Sequence, residues 1–153
     1  SLSKIYPLKA LINIQNTPIN SPADLPTALS QDSCFQQLFS ADIADEALNT
    51  LATKFFKHTA PESFYKDVKT SDPNCRKNLV LSLANGLILE EIEYLKNLPI
   101  PFVLIIGNDD GFTNCDYIEN LNLKSVKYLN CAHYPQLESP QEIKSALLDT
   151  ISL

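Results

Sequence analysis

A chain of 153 residues, 44% of them hydrophobic, is long enough to bury one core, and its apolar residues fall in runs that exclude a disordered chain. The net charge of −6, with Arg76 as the single arginine, argues against a nucleic-acid partner, because phosphate binding requires clustered cations. The apolar runs also fall well short of the roughly 20 residues of a membrane span. The totals therefore predict one globular domain with no membrane span.

Cysteine and glycine usage narrows the possible chemistry. The four cysteines form no CxxC pair and only two histidines accompany them, so we predict no metal site. We interpret the cysteines as reduced thiols, which favours a cytoplasmic location, although a disulfide between Cys115 and Cys131 stays open. Glycine occurs only at positions 86, 107 and 111, which excludes a Walker loop and a GxGxxG loop, and we expect no cofactor.

The first predicted element is a buried strand, LKALINIQ, at residues 8–15, with Pro7 before it and the loop NTPINSP after it. Residues from about 24 to 97 then show helical patterns, with apolar stripes in segments 24–39, 42–56, 61–68, 71–86 and 87–98. In the fourth segment, Ser71 or Asp72 is the expected N-cap and Gly86 the helix stop. We interpret these stripes as core packing.

The last third of the chain alternates strands and helices. PFVLIIG, at 101–107, is an unbroken apolar run of the kind found in parallel strands covered on both faces. A short helix, CDYIENLNL, precedes a third strand, KSVKYLN, at 124–130. The final helix is predicted to begin with Ser139 as N-cap, Pro140 at its first position and Glu142 completing a capping box. This order predicts an α/β fold with a partial parallel sheet of about three strands, right-handed crossovers and flanking helices.

Two of these strands end in residues that suggest chemistry. Gly107, Asn108, Asp109 and Asp110 follow the second strand, and the third is followed by NCAH, which ends at His133. Because the carboxyl ends of parallel strands meet at one edge of a sheet, a carboxylate and an imidazole are predicted to meet there. Such a pair is two-thirds of a nucleophilic triad. The alternative is an aspartate pair that only stabilises a turn and an exposed histidine.

From about Pro99 onward, the chain resembles the C-terminal part of the α/β-hydrolase fold family. IPFVLIIGNDDGF is similar to that family's acid-bearing strand and loop, and the match implies Asp110 as catalytic acid. CAHYPQLESPQEIKSALLDTI is similar to the segment that carries the catalytic histidine, and it implies His133 as general base. Asp109 is the second choice for the acid, with turn stabilisation as its expected role, and Asp116 is less favoured still.

The resemblance implies three regions and a small-molecule substrate. Residues 1–17 correspond to the first core strand, 18–98 to a helical cap, and 99–153 to the C-terminal core with the acid and histidine loops. The family's G-x-S-x-G nucleophile turn is absent, and Ser82 lies within a predicted helix. We therefore expect the second half of a longer, esterase-like hydrolase, inactive as this chain alone. The alternative is a non-catalytic protein-interaction module derived from such a fold.

Further expectations concern the surface and the helical region. Without its other half, the first strand presents a free apolar edge, which predicts binding of the missing half or self-association. His58 lies near the end of a predicted helix, where a cation interacts favourably with the helix dipole. The aromatic residues of the cap are interpreted as packing rather than as the lining of an acyl pocket: Phe35, Phe39, Phe55, Phe56, Phe64 and Tyr65.

Overall fold

Three short apolar strands form one parallel sheet in a computed structural model, which describes residues 8–40, 42–86 and 89–152. Strand β1 spans Leu11–Ile14, β2 spans Phe102–Gly107 and β3 spans Val126–Leu129. β2 lies in the middle, and its Ile105 is level with Ile14 of β1 and Lys127 of β3. The prediction of an α/β fold with a partial parallel sheet of about three strands is confirmed.

Helices fill the connections between the strands. Between β1 and β2 they are α1 (Leu25–Ala28), α2 (Ser33–Gln36), α3 (Asp45–Phe55), α4 (Glu62–Thr70), α5 (Pro73–Ala84) and α6 (Glu91–Lys96), with 3₁₀ turns at Pro22–Asp24 and Gln37–Phe39. After β2 come α7 (Cys115–Asn120), α8 (Pro135–Glu138) and α9 (Pro140–Ile151). The predicted helix over 87–98 is observed as α6; Leu87 and Ile88 lie outside the described residues. None of the described helices has the length and hydropathy needed to cross a bilayer.

Alternation along β2 divides the core of the sheet into two faces. Val103 and Ile105 pack with residues of α9, including Ile143 and Ala146. On the opposite face, Leu104 and Ile106 pack with residues of α6 and α7. Burial of each such aliphatic side chain stabilises the fold by about 1.5–3 kcal/mol. Coverage on both faces explains why the PFVLIIG run is apolar without interruption.

A third cluster is aromatic and lies in the helical region. Phe35, Phe55, Phe56 and Phe64 are buried together with aliphatic residues of α3. Phe112 and Tyr134, from the loops after β2 and β3, pack against this cluster. The helical region is therefore joined to the carboxyl edge of the sheet by packed aromatic rings.

The helical pattern over 24–39 is observed as the short helices α1 and α2 with 3₁₀ turns, and not as one continuous helix. Leu29 is extended and forms an antiparallel bridge with Thr113, and the Ser30 backbone N–H donates to the Phe112 carbonyl at 2.7 Å. The helix is interrupted because this segment pairs with the loop that follows β2. The backbone of the loop thereby gains hydrogen-bond partners. A continuous helix could not supply them, because its own backbone groups would be bonded within the helix.

Helix ends agree with the sequence at α5 and differ at α9. The Asp72 side chain accepts from the Asn74 N–H at 2.9 Å, and Gly86 ends the helix with a φ of 72°. The capping box predicted for α9 is wrong, because the Ser139 side chain makes no capping hydrogen bond. Ser139 is also the residue that ends α8, and its backbone N–H donates to the Pro135 carbonyl at 2.8 Å. The backbone conformation of Ser139 is therefore the one required at the end of α8.

Candidate active site

The loops after β2 and β3 run side by side at one edge of the sheet. The Asn108 N–H donates to the Leu129 carbonyl at 2.9 Å, and the Asp109 N–H donates to the Cys131 carbonyl at 3.0 Å. A Cβ atom on Gly107 would lie 2.0 Å from the carbonyl oxygen of Ala132. Only glycine allows the two loops to approach this closely.

This approach brings Asp110 and His133 together. The His133 Nδ1 atom lies 3.2 Å from both carboxylate oxygens of Asp110, whose side chain is buried. The backbone N–H of Phe112 donates to Oδ1 at 2.9 Å, and that of Thr113 donates to Oδ2 at 3.0 Å. Gln15 adds a third donor, its Nε2 lying 2.6 Å from Oδ2. Asp110 is therefore surrounded by hydrogen-bond donors.

These donors determine the charge of Asp110 and the tautomer of His133. Burial raises the pKa of Asp110, but the hydrogen bond and charge of His133, with the Phe112 amide, outweigh it and hold the pKa below 3.8. An ionised carboxylate only accepts hydrogen bonds, so the proton of a neutral imidazole belongs on Nδ1. The Nε2 atom of His133 is then an acceptor that can take a proton from a reacting group.

The end of α3 supports His133 from the opposite side. The His133 backbone N–H donates to the carbonyl of Phe55 at 3.0 Å, and the Phe55 ring lies 4.5 Å from the imidazole, centroid to centroid. Phe112 and Tyr134 contact the same imidazole edge-on, at 5.6 and 5.1 Å. The negative end of the α3 dipole favours a positive charge here, which would stabilise an imidazolium.

Two charged side chains connect α3 to the histidine loop. Glu138 accepts from the backbone N–H groups of Lys57 and Ala132, each at 2.7 Å. The Lys57 ammonium bonds the carboxylate of Asp109 at 2.5 Å and the side-chain oxygen of Asn130. These contacts fix the position of the loop that carries His133 relative to the helical region.

The other sequence candidates lie elsewhere. The Asp109 carboxylate pairs with Lys57, whereas Asp116 lies exposed in the first turn of α7. Within the described residues, His133 has an ion-pair contact with Asp110 and none with either of these aspartates. His58 is exposed two residues beyond the C-cap of α3, and Ser82 lies within α5.

Most of the aromatic residues of the helical region pack as expected. Phe35, Phe55, Phe56 and Phe64 are buried in the aromatic cluster, and Tyr65 packs against it. Phe39 instead helps to line a cavity of about 300 Å³, whose walls include Leu25, Leu83 and Phe112. Because Phe112 also contacts His133, this apolar cavity lies close to the candidate site.

Metal binding and disulfide bonding each require a particular arrangement of side chains in the described part of the chain: clustered ligands and paired cysteines, respectively. All four cysteines are free, including the pair whose disulfide the sequence left open, Cys115 and Cys131. Residues 8–40, 42–86 and 89–152 contain no cluster of three or more His, Cys, Asp or Glu side chains that would hold a metal ion.

Comparison by sequence finds no matching family model and no matching curated protein. Comparison by structure finds N-acyl homoserine lactonase AidH, solved with N-butanoyl homoserine, at a TM-score of 0.82 and 15% identity. The match covers 98% of this chain and 57% of that one. The chain therefore has the fold of about half of an α/β-hydrolase. Esterase RhEst1 from a Rhodococcus species (TM-score 0.69, 19% identity) has the same α/β-hydrolase fold, with 94% of this chain and 56% of that chain covered.

A carboxylesterase from Bacillus subtilis, CesB, is similar over 94% of this chain and 51% of its own, with a TM-score of 0.61 and 12% identity. The chain thus spans little more than half the length of the α/β-hydrolases it matches. The resemblance stated from the sequence, to the C-terminal part of an α/β-hydrolase, is confirmed at the level of the fold.

Several residues of the site are not predicted by the sequence. Glu138 appears there only as part of the segment after His133, and no pattern predicts its two backbone contacts. Gln15 is the last residue of the predicted first strand, and a position at the carboxyl edge of a parallel sheet could have indicated a role in the site. Phe55 and Lys57 gave no such signal, because their roles depend on how α3 packs against the loops.

Proposed function

We propose that this chain supplies the acid and the general base of an α/β-hydrolase triad, acting on small esters or related substrates. Asp110 is the orienting acid and His133 the base, while the nucleophilic hydroxyl lies outside these 153 residues. The observation that carries the proposal is the Nδ1 contact of His133 with both oxygens of a buried carboxylate. The two residues follow adjacent parallel strands, and this placement further supports the proposal.

The arrangement suits proton transfer in acyl-group chemistry. The Nε2 atom of His133 would remove the proton of a serine hydroxyl as its oxygen attacks the ester carbonyl. The imidazolium formed would be stabilised by Asp110 and by the carbonyl end of α3, and would return the proton to the departing alcohol. Hydrolysis of the acyl-enzyme by water repeats the same transfers.

The substrate class follows from the surroundings of the pair. The apolar cavity beside Phe112 is suited to the hydrocarbon part of a substrate, at about 300 Å³. The similar structures are a lactonase and esterases, which supports an ester or lactone as the reacting group. Residues 18–98 would act as a cap, residues 1–17 and 99–153 as the core, in a cytoplasmic protein.

The free edge of β1 is the proposed site for the rest of the hydrolase or for a second copy of the chain. Within the described residues, β1 pairs only with β2. Next to β1 and α6 lies a cavity of about 830 Å³, whose wall surface is mostly apolar and includes Leu11, Leu89 and Tyr94. Light scattering should show association that increases with concentration, and a monomer at all concentrations would contradict self-association.

The activity is tested in the native polypeptide, including any residues encoded before Ser1. We expect hydrolysis of p-nitrophenyl butyrate or an acyl lactone, and a fall in kcat of about 10⁴-fold or more in His133→Ala and Asp110→Asn. His58→Ala is the matched control and should leave kcat unchanged, because His58 is exposed and makes no described contact with Asp110 or His133. Full activity in His133→Ala would refute the assignment.

The absence of a G-x-S-x-G turn from the sequence favours a second candidate, a non-catalytic interaction module. In that case the native polypeptide would lack esterase activity and would still associate through β1. Sequencing the coding region before Ser1 separates the two: an in-frame G-x-S-x-G supports the enzyme, and an adjacent start codon supports the module.

A further inference from the structure

Gln15 occupies an unusual backbone position directly after β1. Its backbone N–H donates to the Ile105 carbonyl at 2.8 Å, as a strand residue would, but its φ is 51°. Among the described non-glycine residues, only Gln15 and Asn122 have a positive φ. The left-handed conformation costs a residue with a side chain about 1–3 kcal/mol. It turns the Gln15 side chain towards the loop after β2.

The hydrogen bonds of the Gln15 carboxamide determine its orientation. Its Oε1 atom accepts from the backbone N–H of Gly107 at 2.9 Å, a contact in which only an oxygen can serve. The Nε2 group must therefore face Asp110, and it lies 2.6 Å from Oδ2 and 3.3 Å from the Thr113 hydroxyl. Gln15 thus donates to the carboxylate, and its orientation is fixed by the last residue of β2.

We propose that Gln15 is a positioning residue for the Asp110–His133 pair. The amides of Phe112 and Thr113 belong to the same loop as Asp110 and hold its carboxylate locally. Gln15 directly follows a different strand, β1, and connects that carboxylate to the framework of the sheet. With one carboxylate oxygen held by Gln15, the plane of the carboxylate is fixed facing His133 Nδ1. This inference rests on the proposed function, in which Asp110 orients His133.

Neighbouring contacts extend this support away from the site. The Thr113 hydroxyl lies 2.9 Å from the Thr17 hydroxyl, two residues beyond Gln15. The segment from Gln15 to Thr17 therefore contacts both the acid and the residue that ends the acid loop. A change at Gln15 should reach His133 through Asp110, without contact between Gln15 and the imidazole.

The test measures the imidazole protons of His133 by ¹H–¹⁵N NMR in the chain as it is, at about pH 8, above the ordinary histidine range. In the unaltered protein, Nδ1 should carry the proton and exchange it slowly with water. Gln15→Gly removes the side chain and suits the left-handed backbone, so the variant is expected to fold. We expect the Nδ1 proton to exchange at least about tenfold faster in this variant, because the Asp110 carboxylate is no longer held facing Nδ1 by a donor from outside its own loop.

Asn122→Gly is the matched control, since it relieves the same backbone strain at a φ of 53° away from the site, and should leave His133 unchanged. Gln15→Glu is the second variant: it keeps an acceptor for Gly107 but places a carboxylate against Asp110, and should also accelerate exchange. His58 provides an internal reference in every spectrum. Exchange as slow as in the unaltered protein in both Gln15 variants would overturn the inference. Protonation of Nε2 in the unaltered protein would instead refute the proposed acid–base pair.

Discussion

His133 is held from two sides by regions of different character. On one side, the loop after β2 presents Asp110, a buried carboxylate held by amide donors. On the other, the end of α3 presents Phe55, whose ring and carbonyl contact the histidine. The polar side determines which nitrogen is protonated, and the aromatic side determines where the imidazole lies. The proposed role of His133 as general base requires both, so the core loops and the helical region form one candidate site.

The aromatic side can be broken most severely by Phe55→Ala. The ring is buried among other aromatic residues, so its loss should lower the free energy of unfolding by about 3–5 kcal/mol. Leu51→Ala, one turn earlier in the same helix, is the control, with an expected cost of about 2–5 kcal/mol. Urea unfolding measures both losses. NMR should show a displaced His133 imidazole only in Phe55→Ala, and equal effects on His133 would argue against a specific role for this ring.

The junction between the two sides can be tested with Glu138→Gln. The carboxylate accepts two backbone N–H groups, whereas an amide has one accepting oxygen and turns an NH₂ group towards the other donor. Thermal and urea unfolding should show a loss of about 1–3 kcal/mol. Glu119→Gln, at an exposed position of α7, should change stability by less than about 0.5 kcal/mol. A loss no larger in Glu138→Gln than in this control would remove Glu138 from the support of the loop.

The polar side should lose its contribution to stability in acid, and this is the smallest of the expected effects. Because the pKa of Asp110 is lower in the folded protein than its ordinary 3.8, the stability it contributes is complete above that value. It is lost as the pH falls through the lower folded pKa, since the unfolded chain then binds the proton more readily. Asp110→Asn lacks this titration, so the stability gap between variant and unaltered protein should narrow on acidification. A gap independent of pH, measured by urea unfolding from about pH 6 to about pH 2.5, would contradict the lowered pKa.

The sheet and its loops were predictable because their signals are local. The apolar run before Gly107 reports a strand covered on both faces, and the polar residues after it report a loop at the carboxyl edge. Because Asp110 and His133 follow neighbouring strands, the topology allows the two side chains to meet, as they do in the structure. The choice of Asp110 over Asp109 is not given by the topology; it is implied by the resemblance to the α/β-hydrolase family.

The helical region was less predictable because its backbone responds to contacts distant in sequence. The pattern over 24–39 has helical periodicity, yet Leu29 pairs with Thr113 more than eighty residues later. The support given by Phe55 and Lys57 likewise arises only when α3 meets the histidine loop. Gln15 is an intermediate case. The strand that precedes it was predicted, but no sequence pattern indicates that a glutamine will adopt the left-handed backbone conformation.

The glycine at position 107 limits which amino-acid substitutions the protein can tolerate. A methyl group there would collide with the main chain of Ala132, which no rotamer change can relieve. In a library of all single substitutions, position 107 should therefore accept fewer residue types than any other position at the carboxyl edge of the sheet. Gly111 should accept alanine more readily, because the atoms of Lys54 nearest to an added Cβ are 3.3 Å away. The separation between the proposed acid and base is thus determined by a glycine that takes part in neither proposed role.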